Sequence, residues 1–409
     1  MLRFLTAGES HGQALVVVLE GLPAGLPVDL AALDADLARR QHGYGRGQRM
    51  RIEQDHAEVL SGIRAGETLG SPVTLIVRNR DWRNWQQTMR VEPDRSPEAT
   101  GAGRPPVTRP RPGHADLAGA IKFDRDDLRD VLERASARET AARVAAGALA
   151  RQLLSKVGIE VLSHVVRVGS AALPDDIVVT PAMVRALPPD SPLRCIDPVA
   201  EAAMVAAIDA ARTAGDTVGG AFEVVATGVV PGLGSYTQWD RRLDGRLAQA
   251  LMSIPAIKAI GIGAGMGVAA LPGSQVHDEI LPAAGALAQP HGLRLARPTN
   301  RAGGLEGGVT NGENVRVTAY MKPISTLMKP LRSVDLTTLT PAEAAIERSD
   351  VCAVPAAAVV GEAMVCLVLA DALLERFGGD SLGALEAAMA HSRARLDARF
   401  RRPQAGNRS

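Results

Sequence analysis

The chain reads as a mixed α/β protein with antiparallel strand pairs, and three observations predict this. Short apolar runs bounded by glycine and polar turns, such as those either side of Gly8-Glu-Ser-His-Gly12, have the length and flanks of strands joined by tight connections. Leu30, Leu33 and Leu37 recur at helical spacing behind Asp29. The run Ala141 to Ser155 is built almost wholly of small residues and leucine, the composition of a closely packed, buried helix.

In order along the chain, a short apolar strand breaks at Gly8-Glu-Ser-His-Gly12 and resumes as Ala14-Leu-Val-Val-Val-Leu19, presenting Ser10 and His11 at a strand end. The helix after Asp29 ends in Arg39-Arg40 near Gly43. Gly43-Tyr-Gly-Arg-Gly-Gln-Arg-Met-Arg51 then places glycines on alternate positions among arginines, so backbone can approach an anion closely. No lysine followed by Ser or Thr closes that loop, so it is not a Walker loop. Ile52 to Val77 suggests short antiparallel strands with Gly-rich turns. Asp81 to Pro110 reads as a long surface excursion, polar and rich in Pro, Gly and Arg, with Trp82 and Trp85 near its start.

That excursion delivers Arg109-Pro-Arg-Pro-Gly-His-Ala-Asp-Leu117. Two arginines around a proline, then Pro-Gly before His114, make a stiff turn holding guanidinium groups and an imidazole together. Such a site suits an anion plus a proton. Ser136 and Arg138 fall at the N-terminal end of the Ala141 helix, where unpaired N–H groups favour anions. Strands are expected near Ile159 to Ser170 and Gly219 to Val230, with helices at about Val199 to Thr213 and Gln238 to Ser253. The glycines of Ile254 to Gly265 miss the third position of a dinucleotide fingerprint, which excludes a Rossmann reading. Asn300 to Gly312 carries paired glycines that fit either a hairpin or a flat ring lying on bare backbone. After a strand at Val315 to Met321, Lys322-Pro-Ile-Ser-Thr326 offers cation, hydroxyls and N–H groups to phosphate. Arg348-Ser-Asp350 precedes an apolar helix from about Ala356 to Phe377, a last amphipathic helix from Leu382, and a polar tail from Arg401.

A formal net charge of +1 gives no global argument for nucleic acid or membrane surfaces, so anion recognition has to be local. Arginine far outnumbers lysine, which occurs only at positions 122, 156, 258, 322 and 329, so a single arginine carries little weight. Cys195, Cys352 and Cys366 lack metal-type spacing and suggest reduced thiols in the cytoplasm; no metal is expected. The N-terminus does not have the make-up of a signal peptide, and no apolar run free of charges and turns is long enough to span a bilayer.

Seven of these motifs, in this order, resemble the chorismate synthase family: Gly8 to Gly12, Gly43 to Met50, Arg111 to Asp116, Ser136 to Ala141, Gly303 to Gly308, Lys322 to Thr326 and Arg348 to Asp350. The resemblance runs from residue 1 to about 380. It implies an α+β fold in which a helical layer lies between two antiparallel sheets. It further implies one domain over 1–409, with a core of about 1–380 and a C-terminal helix and tail at 381–409, assembled as a homotetramer. The implied enzyme is a lyase that turns 5-enolpyruvylshikimate 3-phosphate into chorismate and phosphate by 1,4-anti elimination with reduced FMN.

Carried over by resemblance, His11 protonates the departing phosphate, His114 pairs with the reduced flavin, and Asp350, Ser10 and Ser136 form a proton relay. Arg40, Arg46, Arg49, Arg111, Arg138 and Arg348 match the positions that clamp three anionic groups of substrate, and Arg40 and Arg46 are also positions for NADPH in bifunctional relatives. Arg134, Ala135, Ser136, Pro255, Ala256, Gly307, Lys322, Pro323, Ile324, Ser325, Thr326 and Arg348 match the flavin contacts. The chain departs from the family pattern at Ala135, Gly261, Ser349 and Ala356, and the first two bear on flavin packing. An ordinary flavin oxidoreductase would use the Gly-Gly and Lys322 to Thr326 clusters too, but would consume NADPH stoichiometrically. A nucleic-acid binder would need more than the five Phe, three Tyr and three Trp present for base stacking.

Overall fold

Two antiparallel sheets face each other across a layer of helices. The computed structural model describes residues 1–47, 54–93, 103–283, 295–346 and 350–400. In the first sheet, β1 (Arg3–Ala7), β2 (Ala14–Glu20), β3 (Ala57–Ser61) and β4 (Val73–Arg78) lie in the order β1-β2-β4-β3. The period of two that strands impose sends Leu15, Val17 and Leu19, with Val73, Leu75 and Val77, to the buried face. The second sheet joins β5 (Glu160–Val168), β6 (Ala171–Ala172), β7 (Gly220–Thr227), β8 (Ile257–Ile262) and β9 (Val315–Met321) in the order β8-β9-β7-β5-β6. Every pair in both sheets is antiparallel, as the tight polar connections anticipate.

The helices used below are α1 (Leu30–Gln41), α2 (Asp116–Phe123), α3 (Arg129–Leu132), α4 (Thr140–Lys156), α5 (Pro198–Thr213), α6 (Leu243–Met252), α7 (Val354–Phe377) and α8 (Leu382–Phe400). Helix α4 packs on β2 and β4, α7 packs on β5 and β7, and the two helices pack on each other. Their backbones approach because Gly147 meets Ala363: a Cβ added at Gly147 would sit 2.3 Å from the Ala363 Cβ. Gly361 lets Phe222 of the second sheet lie against α7 in the same way, with an added Cβ only 2.4 Å from the ring.

Asp29 caps α1 by accepting from the Ala32 N–H at 3.1 Å. Leu33 and Leu37 are buried as expected, whereas Leu30 on the first turn stays exposed. The helix expected over Gln238 to Ser253 is shorter. Extended backbone at Arg242 (φ −65°, ψ 126°) separates a 3₁₀ turn at Trp239–Arg241 from α6. Nor is the stretch after Asp81 all surface: it opens with a 3₁₀ turn, Arg80–Asn84, and buries Trp85. Helix α7 is long and apolar enough to cross a bilayer by length and composition, but it carries Glu362 and 89% of the relevant window is buried inside the protein, so it serves as the core helix.

One charged group sits in that core. Glu362 on α7 accepts from Arg39 of α1 at 2.7 Å, from Arg151 of α4 and from Ser163 of β5, so one carboxylate ties three elements to the central helix. Burial opposes its ionisation, but Arg39 and Arg151 outweigh burial and hold the carboxyl down at about 2.

Gly147→Val, which forces α4 away from α7, is expected to destabilise the protein by about 1–3 kcal/mol in urea unfolding with the sheets' circular dichroism retained below the transition. Glu362→Ala leaves two guanidinium groups facing a void and is expected to cost about 3–5 kcal/mol. Because the folded carboxyl lies below its ordinary value of 4.5, its contribution is full above that pH and is lost as pH falls toward about 2; acid unfolding of Glu362→Gln should lack that component.

Candidate active site

The hairpin between β1 and β2 is held open by Gly8, whose φ of +101° and an added-Cβ distance of 2.2 Å to the Ala14 carbonyl leave room for no side chain. Its turn sets Ser10 and His11 against the segment Glu133 to Ser136. The Ser10 N–H donates to the Glu133 carbonyl at 3.0 Å, and the Ser136 hydroxyl donates to the Ser10 hydroxyl at 3.1 Å. Glu133 also receives the His11 backbone N–H at 2.8 Å and stands 2.9 Å from His11 Nδ1. A carboxylate can only accept, so Nδ1 is the donor and Nε2 is the nitrogen left to serve a ligand. The imidazole stacks on Trp85 with ring centroids 3.7 Å apart.

Beneath this turn lies a buried charge cluster. Arg138, at the start of α4, donates to Asp55 at 2.5 Å and to the Asn79 side-chain oxygen at 3.1 Å. Arg40, at the end of α1, donates to Thr140 Oγ1 at 3.0 Å and to the Ala137 carbonyl at 3.0 Å, and lies 3.4 Å from Asp55. Asn79 in turn donates to the carbonyls of Glu9 and Gly12, so the histidine turn and the arginines share one polar frame. Burial pushes the Arg40 guanidinium down to about 9, with Arg138 and Arg46 adding repulsion and Asp55 and Asp350 opposing it. It therefore keeps its proton at neutral pH. Arg46 donates to Asp350 at 2.6 Å, and the Gly47 N–H donates to the other carboxylate oxygen at 2.6 Å.

A second cluster forms around His114. Arg111 is buried and donates to Asp116 at 2.8 and 3.0 Å and to Thr326 Oγ1 at 3.1 Å. His114 Nδ1 lies 2.5 Å from Asp116 and 3.1 Å from an Arg111 nitrogen. One nitrogen cannot donate to the first while accepting from the second, and the shorter, charge-assisted contact to Asp116 decides it as the donor. Burial alone would raise the Asp116 carboxyl, but His114 and Arg111 hold it well below the usual carboxylate range. Lys322 donates to the Gly113 carbonyl at 2.5 Å, and its own N–H donates to the Ala256 carbonyl at 2.9 Å. Ser325 lies close to Gly113, and the Ile324 carbonyl accepts from Thr217 at 2.7 Å. The Lys322 to Thr326 turn, Pro255-Ala256 and the His114 turn thus come together.

Not every expected member joins these clusters. Asp350 accepts from Arg46 and from the Gly47 N–H, which ties it to the arginine loop. The Arg134 guanidinium donates to the Gly8 and Thr6 carbonyls and the Thr6 hydroxyl, fastening the hairpin. Gly307 turns a short hairpin whose contacts are with Tyr236, Arg242 and Leu243. Arg49 and Arg348 lie outside the described residues. The sequence reading missed Asp55, Glu133 and Asn79 as site residues. Glu133 adjoins Arg134 and could have been found beside that motif, but Asp55 and Asn79 have no local signal and reach the site only through the fold.

What the fold and these clusters define is an acid–base enzyme that binds a polyanion. Comparison with known proteins makes this specific. A family model described as chorismate synthase matches residues 2–374. The chain is 59% identical to the chorismate synthase of Moorella thermoacetica over 97% of this chain and 99% of that one. It is 58% identical to that of Desulforudis audaxviator over 94% and 95%. A crystal structure of chorismate synthase superposes with a TM-score of 0.75 at 40% identity, covering 97% of this chain and 98% of that one. The chain belongs to the chorismate synthase family, whose members convert 5-enolpyruvylshikimate 3-phosphate to chorismate in the shikimate pathway.

Asp116 is fully buried and is held by Arg111 and His114. Asp116→Asn is expected to lower stability by about 3–5 kcal/mol in denaturant unfolding and to release His114 from its fixed orientation, visible as a second imidazole conformer by NMR.

Proposed function

We propose that this chain carries out the family's 1,4-anti elimination of phosphate with His11 as the acid that meets the departing phosphate. The observation that carries this reading is the His11 imidazole: Glu133 occupies Nδ1, so in the imidazolium form the proton that can be given is the one on Nε2. The arginine cluster below supplies the counter-charge. Arg40 and Arg138 share the single carboxylate of Asp55, which leaves one positive charge among those three groups for an anionic substrate. Arg46, held by Asp350, adjoins them closely enough to lower the Arg40 pKa. Arg49 and Arg348 complete the proposed anion contacts by family resemblance.

The residues around His114 fit a reduced flavin. Ala256 (φ +68°) turns its carbonyl toward the Lys322 N–H, and Lys322, Ser325, Thr326 and Arg111 form a cationic, hydroxyl-bearing turn suited to a phosphate. Lys322 to Thr326 and Pro255-Ala256 would hold the group, with His114, oriented by Asp116, keeping a proton beside it; Arg134, Ala135, Ser136, Gly307 and Arg348 extend the proposed contacts. When bound, reduced FMN supplies the electron density that an allylic phosphate needs in order to leave without an acidic neighbouring hydrogen. This chain's residues bind, orient and shuttle protons. Asp350, Ser10 and Ser136 remain in the reading as a proton relay, with the Ser136 hydroxyl donating to that of Ser10.

The reading extends to a homotetramer in the cytoplasm and to NADPH as a reductant at Arg40 and Arg46. Family resemblance supports the assembly and the reductant, and the three buried free cysteines suit a reducing compartment. An anaerobic assay with reduced FMN and 5-enolpyruvylshikimate 3-phosphate, following phosphate and chorismate, tests the whole. His11→Ala and His114→Ala are each expected to lower kcat about a hundred- to ten-thousandfold. Wild-type rates in both variants, or NADPH consumed mole for mole with substrate, would overturn it, the latter in favour of an oxidoreductase.

A further inference from the structure

Glu133 fixes His11 at two points, the backbone N–H and Nδ1, but both lie on one side of the imidazole. A ring held along one edge can still tilt about it, and a tilt carries Nε2 away from any substrate atom. What restrains the tilt is Trp85. Its indole lies under the imidazole with the planes 19° apart and is itself 5% exposed.

The indole is anchored independently of His11. Its Nε1–H donates to Asp81 at 3.0 Å, its backbone N–H donates to the Trp82 carbonyl at 2.9 Å, and its carbonyl accepts from Met89 at 2.8 Å. The Arg104 guanidinium stands 3.9 Å from the ring centroid and that of Arg129 stands 5.5 Å away. Arg129 also pairs with Glu133 at 3.8 Å, so the same cation touches both restraints on the histidine. We propose that Trp85 is a positioning residue for the elimination, a rigid floor that sets the direction of His11 Nε2; this rests on the acid role given to His11 above. Hydrogen bonding to Glu133 and stacking on Trp85 together remove freedoms that neither removes alone.

The test separates this inference from the role of His11. Trp85→Leu keeps bulk but loses the flat face, and is expected to lower kcat about ten- to a hundredfold while KM for the phosphorylated substrate stays unchanged, because misdirection costs rate rather than binding. Trp85→Phe, which restores a ring, is expected to recover most of the lost kcat. A merely structural role would instead lower the melting temperature of both variants and leave this kcat-against-KM split unseen. A second readout needs neither flavin nor substrate: the stacked imidazole quenches Trp85, so the emission lost on Trp85→Phe substitution should be larger in a His11→Asn background than in wild type. If Trp85→Leu turns over normally while His11→Ala does not, or if His11→Asn leaves Trp85 emission unchanged, the positioning role is overturned alone. Full turnover by His11→Ala would overturn the acid role and this inference with it.

Discussion

The close contact between α4 and α7 is the constraint on which the rest of the molecule depends. Each helix covers one sheet, and the glycine at 147 lets the two covers meet with only the Ala363 methyl between them there. Both helices begin at the site. Ser136, Arg138 and Thr140 lie at the entry to α4, and Asp350 stands shortly before α7, so the separation of the helices sets the separation of the functional groups they carry. Glu362 locks that spacing electrostatically by drawing α1 and α4 to α7 through Arg39 and Arg151.

From this frame the two clusters differ in kind. Around Asp55 the charges are deeply buried and paired with one another, while the histidine above them is held through Nδ1. Around His114 the groups sit on turns stiffened by Pro110, Pro112 and Pro323 and are linked across the fold by Arg111–Thr326 and Lys322–Gly113. One cluster thus suits a small polyanion and the other a larger group with a phosphate and a ring.

How much of this was legible follows from how far each interaction reaches along the chain. The β1–β2 hairpin, α1 with its Asp29 cap and the small-residue helix α4 are local patterns and were readable with little error. The helix before Met252 was overextended because nothing in the composition of Gln238 to Arg242 announces the extended backbone there. Among site residues, those within Gly-rich or Pro-rich motifs could be named in advance. Asp55 and Asn79 could not, since their partner Arg138 is more than fifty residues distant, and neither carries a sequence signature. Trp85 was visible at the start of a polar stretch, yet its burial under His11 is a tertiary fact.

Asp55 lies between two buried guanidiniums, those of Arg40 and Arg138. Without an internal carboxylate, the Arg40 and Arg138 guanidiniums would repel each other and draw water, and an arriving substrate would first have to strip that water away. The carboxylate pairs with both cations inside the fold and keeps them dehydrated and fixed in direction. The reorganisation a ligand would otherwise impose is settled when the chain folds, which leaves more of the association free energy to distinguish the reacting geometry from the resting one.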